Sequence, residues 1–274
     1  MAHRSKDRLH EFGYRSSEIQ RFTTKYHLEK TLLSGKFNSV AMAEHRGTQK
    51  KVIVKTVYSP QYRKLKEASF LKKLVHVPGV ITYLDQYYIN PSLHLLVMEY
   101  FGEMTLTRFL AQNKPLSESK AHVIFKQMVS AAQLCFNFNI LHRKIKTNNI
   151  LVDIHSLKIK LTNFNSASHI DEDDQFNTAL CTDIAPPEYF TMGVYSANGL
   201  YVWTLGLVLY EMLFACKPFQ SCNDIVHTSC ALFNNKTLTL EAQSLVAWML
   251  TKSVHKRISL NELTHHPWVT KKWI

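Results

Sequence analysis

At 274 residues, 46% hydrophobic and 20% charged, the chain has enough apolar content to bury a large core, as one domain or as two associated lobes. A net charge of +12 favours acidic partners, but no zinc finger, RNA-binding signature or aromatic-interleaved basic motif accompanies it, which argues against nucleic acid. Five scattered cysteines without a C-x-x-C pair point to reduced thiols in an intracellular protein, cytoplasmic or nuclear, and exclude a sequence-evident metal centre.

In chain order, residues 1–25 read as a basic leader. The polar start lacks a secretory h-region, and Ala2 in place of glycine fails the myristoylation pattern. From Tyr26 to Met98 the pattern is mostly strand. Lys51–Val57 and Leu93–Met98 are β-branched or apolar runs, and between them Gln61–Leu74 has apolar residues near helical spacing, stopped by Val77-Pro78-Gly79. After Gly102 the character turns helical. Ala121–Phe138 carries apolar residues at 123, 124, 128, 131, 132 and 135, Gly199–Phe214 is apolar nearly all round, and Thr239–Leu250 and Ser259–Thr264 follow. No uninterrupted apolar run of about 18 residues predicts a membrane span. The expected class is α+β: a β-rich lobe with one helix over 26–98, a hinge at 99–102 and a helical lobe over 103–274. Runs such as Lys50-Lys51, Lys72-Lys73 and Lys271-Lys272 read as solvated faces in this scheme.

The motifs are more specific. His142-Arg-Lys-Ile-Lys-Thr-Asn-Asn149 has the shape H-R-D-x-x-x-x-N with Lys144 in place of the aspartate. Upstream stand Leu32-Leu-Ser-Gly-Lys-Phe-Asn-Ser-Val40, Val52-Ile-Val-Lys55, a helix with Glu67, and Met98-Glu-Tyr-Phe101. Downstream are Asn163-Phe-Asn165 and Ala185-Pro-Pro-Glu188. In this order they resemble the eukaryotic protein-kinase domain over residues 26–270. Pro186-Pro-Glu-Tyr189, Tyr201-Val-Trp-Thr-Leu-Gly206, Lys217-Pro-Phe219 and His266-Pro-Trp268 are similar to the Pim-type serine/threonine kinases. Phe101 departs from that type, which has a hinge proline there, and so supplies a backbone N–H.

The resemblance implies a bilobal kinase fold. It also implies a nucleotide site drawn from Leu32, Gly35, Val40, Ile53, Lys55, Glu67, Met98, Glu99, Phe101 and Leu151, with catalytic positions at Lys144, Lys146, Asn149 and Asn163. In an active kinase the lysine holds the α/β-phosphates, the helix glutamate orients it, and the loop aspartate accepts the substrate proton. Here Leu33 and Asn38 replace two glycines that let the backbone approach phosphate, and Ile53 replaces a small residue beside the adenine. Asn163 offers a neutral amide where Mg²⁺ favours a carboxylate, which leaves Asn149 and Asn163 as weak metal candidates. Lys144, a cation beside Lys146, can donate but not accept. The expectation is therefore a pseudokinase that binds ATP weakly, with little use for Mg²⁺.

Its expected work is protein binding, with a kinase, a kinase substrate or a regulator as partner. Thr105, Arg108, Thr147 and Asn148 stand where the Pim type has acids that read basic peptides, so acidic or apolar surfaces are favoured. Slow atypical serine/threonine phosphotransfer is the alternative, and a basic nucleic-acid-associated protein a second one that rests on charge alone. Asp153 and Asp183 are the nearest other carboxylates; Asp153 reads as a turn cap, and the motif places neither on a substrate hydroxyl. Asp171-Glu-Asp-Asp174 reads as a solvated loop or, more sharply, as a phosphate mimic for Arg143.

Overall fold

The computed structural model describes residues 17–35, 38–58, 66–113, 115–230 and 238–272. The chain divides into two compact units, Met1–His76 with Ile81–Phe101, and Val77–Val80 with Gly102–Ile274. The first is built on a sheet and the second on helices, the α+β class implied by the sequence.

The N-terminal unit holds helix α1 (Ser17–Lys25), strands β1 (Tyr26–Ser34), β2 (Asn38–His45) and β3 (Lys50–Tyr58), helix α2 (Lys66–Lys73), and strands β4 (Tyr83–Asn90) and β5 (Leu93–Glu99). The strands form one antiparallel sheet in the order β1-β2-β3-β5-β4. Period-two alternation sends successive side chains of β3 to opposite faces. Val52 and Val54 enter an apolar cluster with Ala43, Tyr87, Ile89, Leu95 and Val97, and Ile53 and Lys55 face the other way.

Helix α1 corrects the reading of residues 17–25 as leader. Phe22, 1% exposed, is buried in that same cluster. Its ring stacks on Tyr26 at 5.5 Å and meets Tyr87 edge-on at 5.3 Å. Lys25 pairs with Asp85 at 2.7 Å, and Arg46 Nε donates to the Thr23 carbonyl at 3.0 Å. One buried ring and the half-buried Ile19 among seven polar residues give little sequence signal, which is why the segment reads as a leader. Residues 61–65 of the expected Gln61–Leu74 helix lie outside the described residues; α2 accounts for the rest.

The C-terminal unit contains α3 (Leu106–Gln112), α4 (Glu118–Asn137), β6 (Ile140–Leu141), β7 (Ile150–Val152), β8 (Ile159–Leu161), β9 (Ser168–His169) and α5 (Pro187–Met192). It continues with α6 (Ala197–Phe214), α7 (Cys222–His227), α8 (Leu240–Met249), α9 (Leu260–His265) and α10 (Pro267–Thr270). Strands β7 and β8 form one short antiparallel ribbon, and β6 and β9 another. Ser117 caps α4, whose buried face runs from Ala121 to Cys135. Val123, expected on that face, is exposed, and Phe138 at the end of the expected segment is the exposed C-cap residue past the last turn.

By length and composition α6 could cross a membrane, but 83% of it is buried within the unit, as befits a core helix. It packs closely on α8: a Cβ on Gly206 would lie 2.9 Å from Met249 and Leu250 atoms, so only glycine fits. Glu118, at the start of α4, ties the unit's end together. It accepts from Thr239 N and Oγ1 at 2.9 and 2.6 Å and from Trp268 Nε1 at 2.7 Å.

Candidate nucleotide and catalytic-loop site

Each unit carries part of the expected site. In the N-terminal unit, register places Val40 opposite Lys55 across β2–β3, Leu33 opposite Val40 across β1–β2, and Ile53 opposite Met98 across β3–β5. Lys55 Nζ donates to Glu67 Oε2 at 2.6 Å, and both side chains are buried. A pair this enclosed is held by Coulomb attraction in a poorly solvated place, where either charge alone would be costly.

Gly35 N–H donates to the Asn38 carbonyl at 2.8 Å, closing the β1–β2 turn tightly. A Cβ on Gly35 would come within 3.1 Å of Asn38 Oδ1, so the surviving glycine serves the turn itself. Leu33, at a former glycine position, is 67% exposed. Leu32, Val40 and Ile53 are half-buried, Met98 is buried, and Phe101 is half-buried. Glu99 is occupied within its own unit, where Oε1 accepts from Thr82 N at 2.8 Å and Oγ1 at 2.7 Å.

In the C-terminal unit, His142 anchors the catalytic-loop sequence. Its Nε2 lies 3.0 Å from the Thr162 carbonyl, its Nδ1 accepts from Lys144 N–H at 3.1 Å, and its ring meets Phe164 edge-on at 4.4 Å. Complete burial pushes its pKa down to about 4, only partly offset by the Thr162 hydrogen bond, so the ring is neutral at pH 7.

Asn149 Nδ2 donates to the Lys144 carbonyl at 2.8 Å, and Asn163 Nδ2 donates to Asn149 Oδ1 at 3.0 Å. The two metal-position residues thus bond to each other. Asn163 sits in the left-handed region at φ 67°, which asparagine tolerates better than most residues. Mg²⁺ does not fit this donor set: both groups are neutral amides, and the Asn149 oxygen already accepts a hydrogen bond. Leu151, on β7, pairs with Lys160 on β8 and bridges to Thr105.

Two expectations about charge are corrected. Lys146 is not an unneutralised partner for Lys144, because its Nζ meets Asp183 Oδ2 at 3.1 Å. Asp183, thirty-seven residues away in sequence, was out of reach of motif reasoning. Nor does the acidic run meet Arg143. Arg143 Nη2 donates to the Ala179 carbonyl at 2.8 Å, and its Nε to Tyr195 Oη at 3.1 Å. Asp174 Oδ1 accepts from Ala197 N at 2.7 Å, and 171–173 are exposed. The backbone direction of the segment takes the acids elsewhere. Asp153 caps its turn by accepting from His155 and Ser156 N–H at 2.9 and 2.8 Å.

A further polar chain was missed. Thr107 Oγ1 donates to Thr147 Oγ1 at 2.8 Å, and Thr147 Oγ1 to Glu211 Oε2 at 3.2 Å. Burial raises the Glu211 pKa, with the Thr147 bond opposing. The available signal was a single carboxylate in the otherwise apolar α6. Of the expected peptide-reading positions, Thr105 caps α3, Arg108 and Asn148 are exposed, and Thr147 is buried.

Buried Glu188 takes two bonds from Arg257, at 2.8 and 2.7 Å. This pair holds α5 to the segment before α9, and Tyr201 Oη donates to the Ile140 carbonyl at 2.7 Å. Both are framework contacts of the catalytic loop and its flanking segment.

Comparison with known proteins agrees with this framework. The protein kinase domain family matches residues 26–269. Serine/threonine-protein kinase pim-2 of Danio rerio is 30% identical over 270 residues, covering 91% of this chain and 86% of the relative. The probable serine/threonine-protein kinase MARK-A of Dictyostelium discoideum is 29% identical over 257 residues, 89% of this chain but 24% of the relative. The SNF1-like protein kinase ssp2 of Schizosaccharomyces pombe is 30% identical over 258 residues, 89% and 44% respectively. The chain therefore spans about a quarter to a half of the last two. With a β-sheet unit bearing the Lys55–Glu67 pair and a helical unit bearing the His142 loop, the chain belongs to the eukaryotic protein kinase superfamily.

Proposed function

We propose that this chain is a Pim-like pseudokinase, one that works by binding a protein and biasing its activity. The observation that carries this is the Asn163–Asn149 amide pair beside a catalytic loop whose proton-accepting position is Lys144. Phosphoryl transfer relies on positioning and electrostatics around a metal-bound phosphate. Here a neutral pair stands at the metal positions and an ammonium at the base position.

ATP is proposed as a weak ligand through Lys55, without a required Mg²⁺; of the two loop lysines, Lys146 is already paired with Asp183. The proposed partners are a kinase, its substrate or a regulator inside the cell. A second reading, slow phosphotransfer, is favoured by the intact Lys55–Glu67 pair and by relatives whose names are those of serine/threonine kinases.

The deciding experiment is a phosphotransfer assay on mixed protein substrates, run beside thermal-shift titrations of ATP with and without Mg²⁺. We expect no turnover and a small, Mg²⁺-independent shift. Turnover that disappears in a folded Lys55→Met variant would overturn the pseudokinase reading, and no shift at millimolar ATP would remove the nucleotide.

A further inference from the structure

Charge is unevenly placed along the chain. Residues 46–98 hold nine Lys or Arg (46, 50, 51, 55, 63, 64, 66, 72 and 73) against two acids, Glu67 and Asp85. Both acids are consumed inside the unit. Glu67 is buried on Lys55, and Asp85 takes Lys25 and the Tyr87 hydroxyl at 2.7 and 2.9 Å.

Helix α2 divides this charge cleanly. Its buried side is Glu67, Ala68, Phe70 and Leu71. Lys66, Ser69, Lys72 and Lys73 are exposed, and 3.6-residue spacing sets them within one third of the helix circumference. None of these lysines has a carboxylate partner among the described residues.

The helix packs on β4, the edge strand of the sheet. Lys72 Nζ stands 5.1 Å from the Tyr83 ring centroid, joining the basic face to that strand. On β4, Leu84 and Tyr88 are 44% and 43% exposed. The Tyr88 ring is held edge-on to His94 at 5.0 Å, and its hydroxyl accepts from Gln86 Nε2 at 3.0 Å. Large apolar side chains held at the rim of an uncompensated basic face call for a partner with both properties.

We infer that the exposed face of α2, with the Leu84–Tyr88 edge of β4, is a docking surface for an acidic protein segment that carries an apolar side chain. The lysines select carboxylates and speed encounter, and Leu84 and Tyr88 give the apolar residue a surface to pack on. The same short helix carries Glu67 on its opposite side, so a segment seated on the lysines also steadies the Lys55–Glu67 pair. This deepens the reading of a protein-binding member and rests on it only for the kind of partner. Turnover would sink the non-catalytic reading and leave this surface standing.

The test uses the full chain and a short fluorescein-labelled peptide of Asp and Glu with a central Phe-Leu pair, read by fluorescence anisotropy at physiological salt. Charge reversal at Lys66→Glu, Lys72→Glu and Lys73→Glu together should weaken binding ~tenfold or more. So should replacing the peptide's acids by their amides, and Leu84→Ser with Tyr88→Ser should weaken it severalfold. Lys50→Glu with Lys51→Glu, a reversal elsewhere on the sheet, should change it little. Unchanged affinity in the α2 variant, an equal loss in the Lys50/Lys51 variant, or equally effective displacement by a single-stranded oligonucleotide would each overturn the proposal. Because all three lysines are exposed, the variants should melt like the parent protein, and a matched thermal unfolding curve separates lost binding from lost fold.

Discussion

Asn163 donates its side-chain amide to the Asn149 amide oxygen at 3.0 Å, so the two residues at the metal positions satisfy each other without a cation. A carboxylate at 163 would place an acceptor against that oxygen and supply the charge that Mg²⁺ requires. Asn163→Asp should therefore cost about 1–2 kcal/mol in the absence of metal and gain a Mg²⁺-dependent rise in melting temperature. The parent protein should melt alike in Mg²⁺ and in chelator, which differential scanning fluorimetry reads directly.

Lys55 and Glu67 form a buried pair, so removing one charge strands the other. Lys55→Met should destabilise by about 3–5 kcal/mol, whereas Lys55→Met with Glu67→Leu should recover most of that loss. Urea unfolding of the two variants checks the contrast. The double variant is also the sounder control for nucleotide binding, because it separates a missing ligand contact from a weakened fold.

His142 links stability to pH. Its folded value is about 4 against an ordinary 6.5. Below pH 6.5 the unfolded chain takes up a proton that the folded ring refuses, so this contribution falls as pH falls and is fully lost near pH 4. The size is about 3 kcal/mol over that window. Comparing unfolding free energies of the parent protein and His142→Leu from pH 7 to 4.5 should show a steeper acid loss in the parent. Parallel curves would contradict the buried neutral ring.

Phe22 reaches from α1 into the cluster of the sheet. Phe22→Ala should cost about 3–5 kcal/mol, as deletion of a buried ring does, and truncation of residues 1–25 should expose Tyr26 and Tyr87 to solvent. Tyrosine fluorescence and proteolysis at β4 report the change. A truncated chain as stable as the full one would place the helix outside the fold's energetics.

Much of this was legible in the residues. The β-branched run of β3 and the apolar length of α6 announce themselves through periodicity, and the order of motifs gave Lys55 and Glu67 as partners. What escaped depends on chain direction between distant residues. Lys146 and Asp183 are thirty-seven positions apart in sequence, and nothing local says that one neutralises the other. The acids at 171–174 looked suited to Arg143 by charge, yet a backbone carbonyl and a tyrosine hydroxyl hold that guanidinium. Helix α1 was hidden because its single buried ring is outnumbered by polar neighbours.

The grip on Arg143 is made entirely of unmodified groups. Ala179 and Tyr195 supply its acceptors, and Phe176 and Tyr195 exchange backbone hydrogen bonds at 2.9 and 3.0 Å while their rings stack at 5.5 Å. Every group in that clasp is present when the chain leaves the ribosome. The Arg143 guanidinium, which a phosphate on this segment would pair with in the way such switches work, is already held by a backbone carbonyl and a tyrosine hydroxyl of the unmodified chain.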